Sequence, residues 1–353
     1  MMPQSQDRLL MKWIALFASL AIILVIFGGY VRLTRSGLSI VEWNPVGGSI
    51  PPLTQGDWAA EFSKYQKTPE YQQINRGMSL VEYRRIFLIE WLHRLLARIA
   101  GLAFAVPFLI FLATQRVPLR RSAPYFLVAL LFLLQALMGW IMVSSGLVER
   151  PSVSHYLLAA HLFLALALIG VSVWTALGHY HGLSPRTSGV RWSAGSKVAL
   201  TALLGLLLQI AYGAFTAGLK AGQVSDTWPL MLGRWIPNRL LDQTTPPMLN
   251  LVAAPLTVAF IHRWLAVAAL ILAGIAYYVI DRMGLDKDLR RILRIIGLLS
   301  ALQMALGIAV VFWKVQIGLA ILHQFNAICL YVLAVVLLYR LRILDAQGGH
   351  RAT

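Results

Sequence analysis

Glu90-Trp91-Leu92-His93-Arg94 lies early in a long apolar run, and Ala259-Phe260-Ile261-His262-Arg263 stands at the same place in another. Two further histidines keep that position, His161 in Ala160-His161-Leu162 and His323 in Leu322-His323-Gln324. An imidazole inside a membrane-length segment is costly unless something partners it, so four of them in one register set the problem the fold must solve. Apolar runs of about 20 residues, enough to cross a bilayer as helix, cover 13–33, 86–114, 124–146, 153–178, 197–218, 255–280, 291–313 and 315–340. The histidines fall in the second, fourth, sixth and eighth of these. With 58% hydrophobic and 13% charged residues in a chain of 353, the fold class is an all-α polytopic membrane protein with no room for a large soluble domain.

The second half of the chain echoes the first. Phe27–Trp43 lies over Tyr212–Trp228 without a gap: Gly28 falls on Gly213, Tyr30 on Phe215, Arg35 on Lys220, Gly37 on Gly222 and Trp43 on Trp228. Leu134-Gln135 with Gly139 recurs as Leu302-Gln303 with Gly307. The order is kept throughout, which marks an internal repeat. Each half has four spans, so both halves enter the membrane from the same side, as a parallel repeat about an axis along the membrane normal. The expected architecture is two tandem four-helix bundles with ligands projecting inward. They cover 1–178 (with an outward loop at 34–82) and 197–341, joined by a linker at 179–196 and followed by a tail at 342–353. Gly28, Gly139, Gly213 and Gly307 suit close helix packing.

A net charge of +17 raises the question of nucleic acid, but the basic residues sit in short loops. Arg116, Arg120 and Arg121 lie in 115–123; Arg186, Arg191 and Lys197 in 179–197; Arg282, Lys287, Arg290, Arg291 and Arg294 in 281–294. The intervening short loops carry only Arg150 and Lys314. Positive loops stay in the cytoplasm, which places both termini there and the 34–82 loop outside; no nucleic-acid partner is expected. The first run reads as a retained span rather than a cleaved signal, and a bacterial inner membrane as the home, since no Arg/Ser-rich transit segment precedes it. Cys329 is the single cysteine, which rules out an intramolecular disulfide or a Cys-based metal site and leaves a small buried hydrophobe.

Each histidine lies roughly two turns into its run, on the order of 10 Å deep. Two facing imidazoles at one depth can hold a heme iron from both sides, whereas zinc and copper sites want three or four converging ligands. His155, His179, His181 and His350 lack the pattern and read as solvated. Heme propionates call for cations, and Arg32, Arg35, Arg84, Arg85, Arg94, Arg98, Lys220 and Arg263 are available; interfacial anchoring is the alternative for Arg84 and Arg85. Ser79 and Glu82 form a capping box that starts the second helix. Glu90 shares a helical face with His93. Its carboxyl can donate, accept or relay a proton beside a porphyrin, or form an ion pair with Arg94. The second half keeps His262 and Arg263 but has Ala259 in place of Glu90, so the carboxylate is not needed merely to support the histidine or arginine. Two other readings stay open on these residues: a diheme b-type cytochrome oxidising quinol, and a transporter built from parallel repeats.

Several stretches resemble the heme A synthase family. They are Gly28-Gly29-Tyr30-Val31-Arg32-Leu33-Thr34-Arg35-Ser36-Gly37-Leu38-Ser39, Trp43-Asn44-Pro45, Pro51-Pro52, Glu90-x-x-His93-Arg94, Gly213–Gly222, Trp228-Pro229, His262-Arg263 and the segments around His161 and His323. The resemblance runs from the first span to the eighth. It implies oxidation of the C8 methyl of heme O, through an alcohol, to the formyl group of heme A, in support of cytochrome oxidase biogenesis. It further implies His93 and His161 on the substrate heme iron with Glu90 in catalysis, and His262 and His323 on the iron of a heme b cofactor. Arg35, Arg94, Lys220 and Arg263 are the expected cofactor-binding cations. Implied partners are heme O, a heme O synthase, an electron donor and membrane lipid. Some members carry a cysteine pair in the first outward loop; 34–82 has none, so the chain resembles the Cys-free branch of mitochondria and related proteobacteria.

Overall fold

The computed structural model describes residues 5–44, 47–148, 151–181, 190–284 and 286–348. Pro45, Arg150, Arg186 and His350 lie outside the described residues. Eleven helices are formed: α1 Ser5–Leu33, α2 Gln55–Tyr65, α3 Pro69–Gln73, α4 Leu80–Ala113, α5 Ala123–Leu147, α6 His155–His181, α7 Ala194–Gly218, α8 Asn250–Ala253, α9 Pro255–Asp281, α10 Lys287–Phe312 and α11 Ile317–Ala346. Eight of them, α1, α4, α5, α6, α7, α9, α10 and α11, are long and apolar enough to cross a membrane. They coincide with the eight expected spans.

Several helices begin where the sequence offers a cap. The Ser79 hydroxyl accepts the N–H of Glu82, and the Glu82 carboxylate accepts the Ser79 N–H at 2.8 Å, so both orphan donors are satisfied. This box adds two polar turns ahead of the apolar run. His93 consequently lies between three and four turns into α4, while His161, His262 and His323 lie just under two turns into α6, α9 and α11. The first outward loop is not simply a loop. Thr54 and Asp57 make a second capping box and open α2, and Thr68 caps α3. Trp58 and Tyr65 of α2 close over Tyr83 and Phe87 on the extended start of α4. Tyr65 and Tyr83 stack at 5.1 Å and 26°.

The described residues form two compact units, one from Leu16–Leu168 and the other from the rest, including the last part of α6. In the first unit, Phe17 of α1 packs on Phe104 of α4 at 4.8 Å and on Phe132 of α5 at 5.7 Å. In the second, α7 packs on α9 and α11, and α10 on the same two, which closes a four-helix ring. One end of that ring is tied by bonds that extend from a buried ion pair on α11. Arg342 donates to Asp345 at 2.8 Å and to the carbonyls of Val190 and Arg191. Asp345 in turn accepts the Ser196 hydroxyl at 2.6 Å.

Three of the histidines expected in solvent are partly covered instead. His155 packs on Tyr156 and His181 on Tyr339, and His179 is likewise half-buried, because α6 runs to His181 rather than stopping at 178. Cys329 is a free thiol, half-buried on α11.

Candidate functional site

Each of the four histidines faces a glycine on the helix before it. A Cβ built on Gly28 would stand 3.3 Å from Cε1 of His93, and one on Gly139 would stand 3.1 Å from His161. In the second unit the distances are 3.2 Å from Gly213 to His262 and 3.1 Å from Gly307 to His323. The repeated glycines therefore make room for imidazoles, a more specific service than helix packing. His93 and His161 belong to the first unit and His262 and His323 to the second, so each unit holds two.

Glutamines hold three of the four rings. Nε2 of Gln209 lies 3.1 Å from Nδ1 of His262 and also donates to the His262 carbonyl at 3.1 Å. Nε2 of Gln135 is 3.3 Å from His161, and that of Gln303 is 3.3 Å from His323. Nδ2 of Asn326 donates to Oε1 of Gln303 at 2.8 Å and anchors it. His93 has no such amide: Leu24 stands where Gln209 stands in the repeat, and the ring stacks on Phe27 at 6.0 Å.

The turn after α1 and the turn after α7 are built alike. Arg35 and Lys220 both take the left-handed backbone conformation, each with φ 54°, and both side chains are exposed. Arg94 donates to the carbonyls of Ile40 at 3.1 Å and Glu42 at 3.4 Å. Arg263 donates to the carbonyls of the equivalent residues, Ser225 at 2.8 Å and Thr227 at 2.7 Å. These two arginines, expected among the propionate partners, thus spend donors on clasping the turn.

What differs is the carboxylate. Glu90 is 3% exposed and receives five donors. Arg94 grips Oε1 with Nε at 3.0 Å and a terminal nitrogen at 2.6 Å. Oε2 accepts the Ser39 N–H at 2.8 Å, the Ser39 hydroxyl at 2.7 Å and the Ile40 N–H at 2.9 Å. The ion pair with Arg94 is formed, but it is only two of the five bonds. In the second unit Ala259 replaces Glu90 and Val224 replaces Ser39, and both pack in an apolar cluster with Met231. Ser39 was not legible as a site residue from sequence, since its partner is fifty-one positions away.

The other cations are placed variously. Arg84 lies over the Trp58 ring at 5.1 Å, and Arg98 donates to the Asn44 carbonyl at 3.0 Å. Among the described residues no three His, Cys, Asp or Glu side chains gather as a metal-ion cluster would require.

Fold and site together define an eight-span membrane protein with two glycine-facing histidines in each of two units and a buried, hydrogen-bonded carboxylate in one of them. The chain belongs to the cytochrome oxidase assembly protein family, whose model matches residues 11–335. It is similar to the heme A synthase of Parvibaculum lavamentivorans, 40% identical over 330 residues and covering 93% of each chain. The heme A synthase of Sinorhizobium medicae is 42% identical over 321 residues, 90% of this chain and 85% of its own. That of Agrobacterium fabrum is 43% identical over 332 residues, 93% of this chain and 89% of its own.

Proposed function

We propose that this protein is a heme A synthase: it oxidises a ring methyl of heme O, through the alcohol, to the formyl group of heme A. One observation carries the division of labour. The second unit builds the same turn and the same arginine clasp without a carboxylate, so Glu90 is not needed to form this piece of structure. Its place is in the chemistry of the first unit, where His93 and His161 take the substrate heme. His262 and His323 take a resident heme b in the second unit.

The residues fit a heme at both pairs. Nδ1 of His93, His161 and His323, and the side-chain oxygens of Gln135 and Gln209, are buried without a hydrogen-bond partner, a state that calls for a missing ligand or water. The glycines facing each ring leave the space an imidazole needs to turn toward a flat ligand. Heme b, when bound, supplies one-electron transfer between the donor and the substrate site. The chain's own residues hold the imidazoles, fix Glu90 beside His93 and offer cations. Arg35 and Lys220 are the better placed for propionates, since Arg94 and Arg263 already clasp the turns.

Both termini and the basic loops are cytoplasmic in this proposal, with α2 and α3 outside a bacterial inner membrane. A heme O synthase supplies the substrate, and a separate donor supplies electrons. Mass spectrometry of hemes from a host that makes heme O but no heme A, with and without this chain, tests the proposal. Heme A or its hydroxymethyl precursor is the expected product. A red purified protein with only hemes B and O in the cells would overturn it.

A further inference from the structure

We propose that Ser39 is a positioning residue for the first-unit reaction, acting through Glu90. The inference rests on the catalytic role given to Glu90 above and names what holds that group. Ser39 is fully buried and gives Oε2 of Glu90 two of its three bonds, from its N–H at 2.8 Å and its hydroxyl at 2.7 Å. Hydrogen bonds to a charged group are shorter and roughly twice as strong as neutral ones, and these close on the oxygen that Arg94 does not touch. The hydroxyl bond is the shortest of the three on Oε2, and without it that oxygen keeps only the Ser39 and Ile40 N–H groups, so the carboxyl plane is held less firmly.

The repeat supplies an internal control. The N–H of Ser39 and that of Val224 make the same turn bond, to Ser36 and to Ala221 at 3.2 Å each. Backbone shape therefore does not demand a serine at this position. The hydroxyl is present in the unit that has the carboxylate and absent in the unit that has Ala259. Thr34 and Ser36 bond each other at 2.9 Å instead, which makes Ser36 a neighbour that does not reach Glu90.

The experiment is a double-mutant cycle on the membrane-embedded full chain, with rates of heme O conversion followed by mass spectrometry. Ser39→Ala is expected to lower the rate at saturating heme O about tenfold, to shift the pH profile of the rate, and to leave the Soret band and half-saturating heme O unchanged. In a Glu90→Gln background the same change is expected to cost less than about twofold, since coupled residues are not additive. Ser36→Ala is the control and should match the parent. Equal tenfold losses in both backgrounds would show Ser39 acting independently and overturn the inference. So would a parent-like Ser39→Ala beside a crippled Glu90→Gln, or a lost Soret band in Ser39→Ala, which would make the residue purely structural. A parent-like Glu90→Gln would instead remove the catalytic role of Glu90 on which the inference rests.

Discussion

The two histidine-bearing units are built to one pattern and finished differently. Both have a glycine opposite each imidazole, a left-handed turn at Arg35 or Lys220, and an arginine clasping two carbonyls of that turn. The first then adds a polar set, Ser39, Glu90 and the Arg94 ion pair. The second replaces it with Val224, Ala259 and Met231 and spends its polar groups on the rings: Gln209 on His262, and Gln303 with Asn326 on His323. In the first, Leu164 stands in the place of Asn326, and His93 lacks an amide. In the proposed function, one unit is furnished for a reaction and one for retention. A duplicated scaffold lets these two demands be met without compromise in either place.

The comparison breaks most decisively at Glu90. Glu90→Gln keeps the size and hydrogen-bonding reach of the side chain but not its charge; heme A formation is expected to fall about 100-fold or more with the heme spectrum unchanged. A rate within twofold of the parent would erase the chemical distinction between the units. Next in size is the loss of cofactor. Purified His262→Ala is expected to lack the tightly held heme of the second unit, while His93→Ala keeps it; a full Soret band in His262→Ala would place the retained heme elsewhere.

A smaller change sharpens the claim about retention. Gln209→Leu copies the Leu24 environment into the second unit and removes two bonds, of which the one to the His262 ring is worth about 1 kcal/mol to its hold on the heme. Transfer of its heme to apomyoglobin should speed up about fivefold, and an unchanged rate would deny the amide any part in holding the ring. The smallest effect concerns stability. Glu90→Ala alone leaves the Ser39 hydroxyl only its longer bond to the Ile86 carbonyl at 3.3 Å, whereas Ser39→Val with Glu90→Ala reproduces the apolar pairing of the second unit. The double variant should be more stable than the single by about 1 kcal/mol, read as thermal midpoints in detergent; equal midpoints would mean the two positions are not coupled.

The spans were legible because apolar length is a property of composition, and their ends were less so because caps and amphipathic turns extend them. α4 starts at Leu80 because Ser79 and Glu82 can pay out two polar turns before the apolar run begins. α11 continues to Ala346 because Arg342 and Asp345 pair with each other. The four histidines and Glu90 stood out as polar residues in apolar runs. The small helical cap of α2 and α3 was not anticipated within the 34–82 loop, because its aromatic core joins residues far apart in sequence. Gln135 and Gln303 were visible as repeat landmarks, yet their bonds to imidazoles depend on how neighbouring helices are rotated, which no spacing within one helix reveals. Ser39 was hidden for the same reason.

The Arg342 and Asp345 tie has a consequence for assembly. His323 and Arg342 lie on one helix, roughly 28 Å apart along its axis. The pair itself lies within α11, but from it Asp345 reaches Ser196 of α7 and Arg342 reaches the carbonyls of Val190 and Arg191. Hydrogen bonds to charged groups are among the stronger ones, so the far end of the second bundle resists spreading. The end that carries His262 and His323 has no such tie among the contacts described above, so it is the end of the second bundle left freer to open.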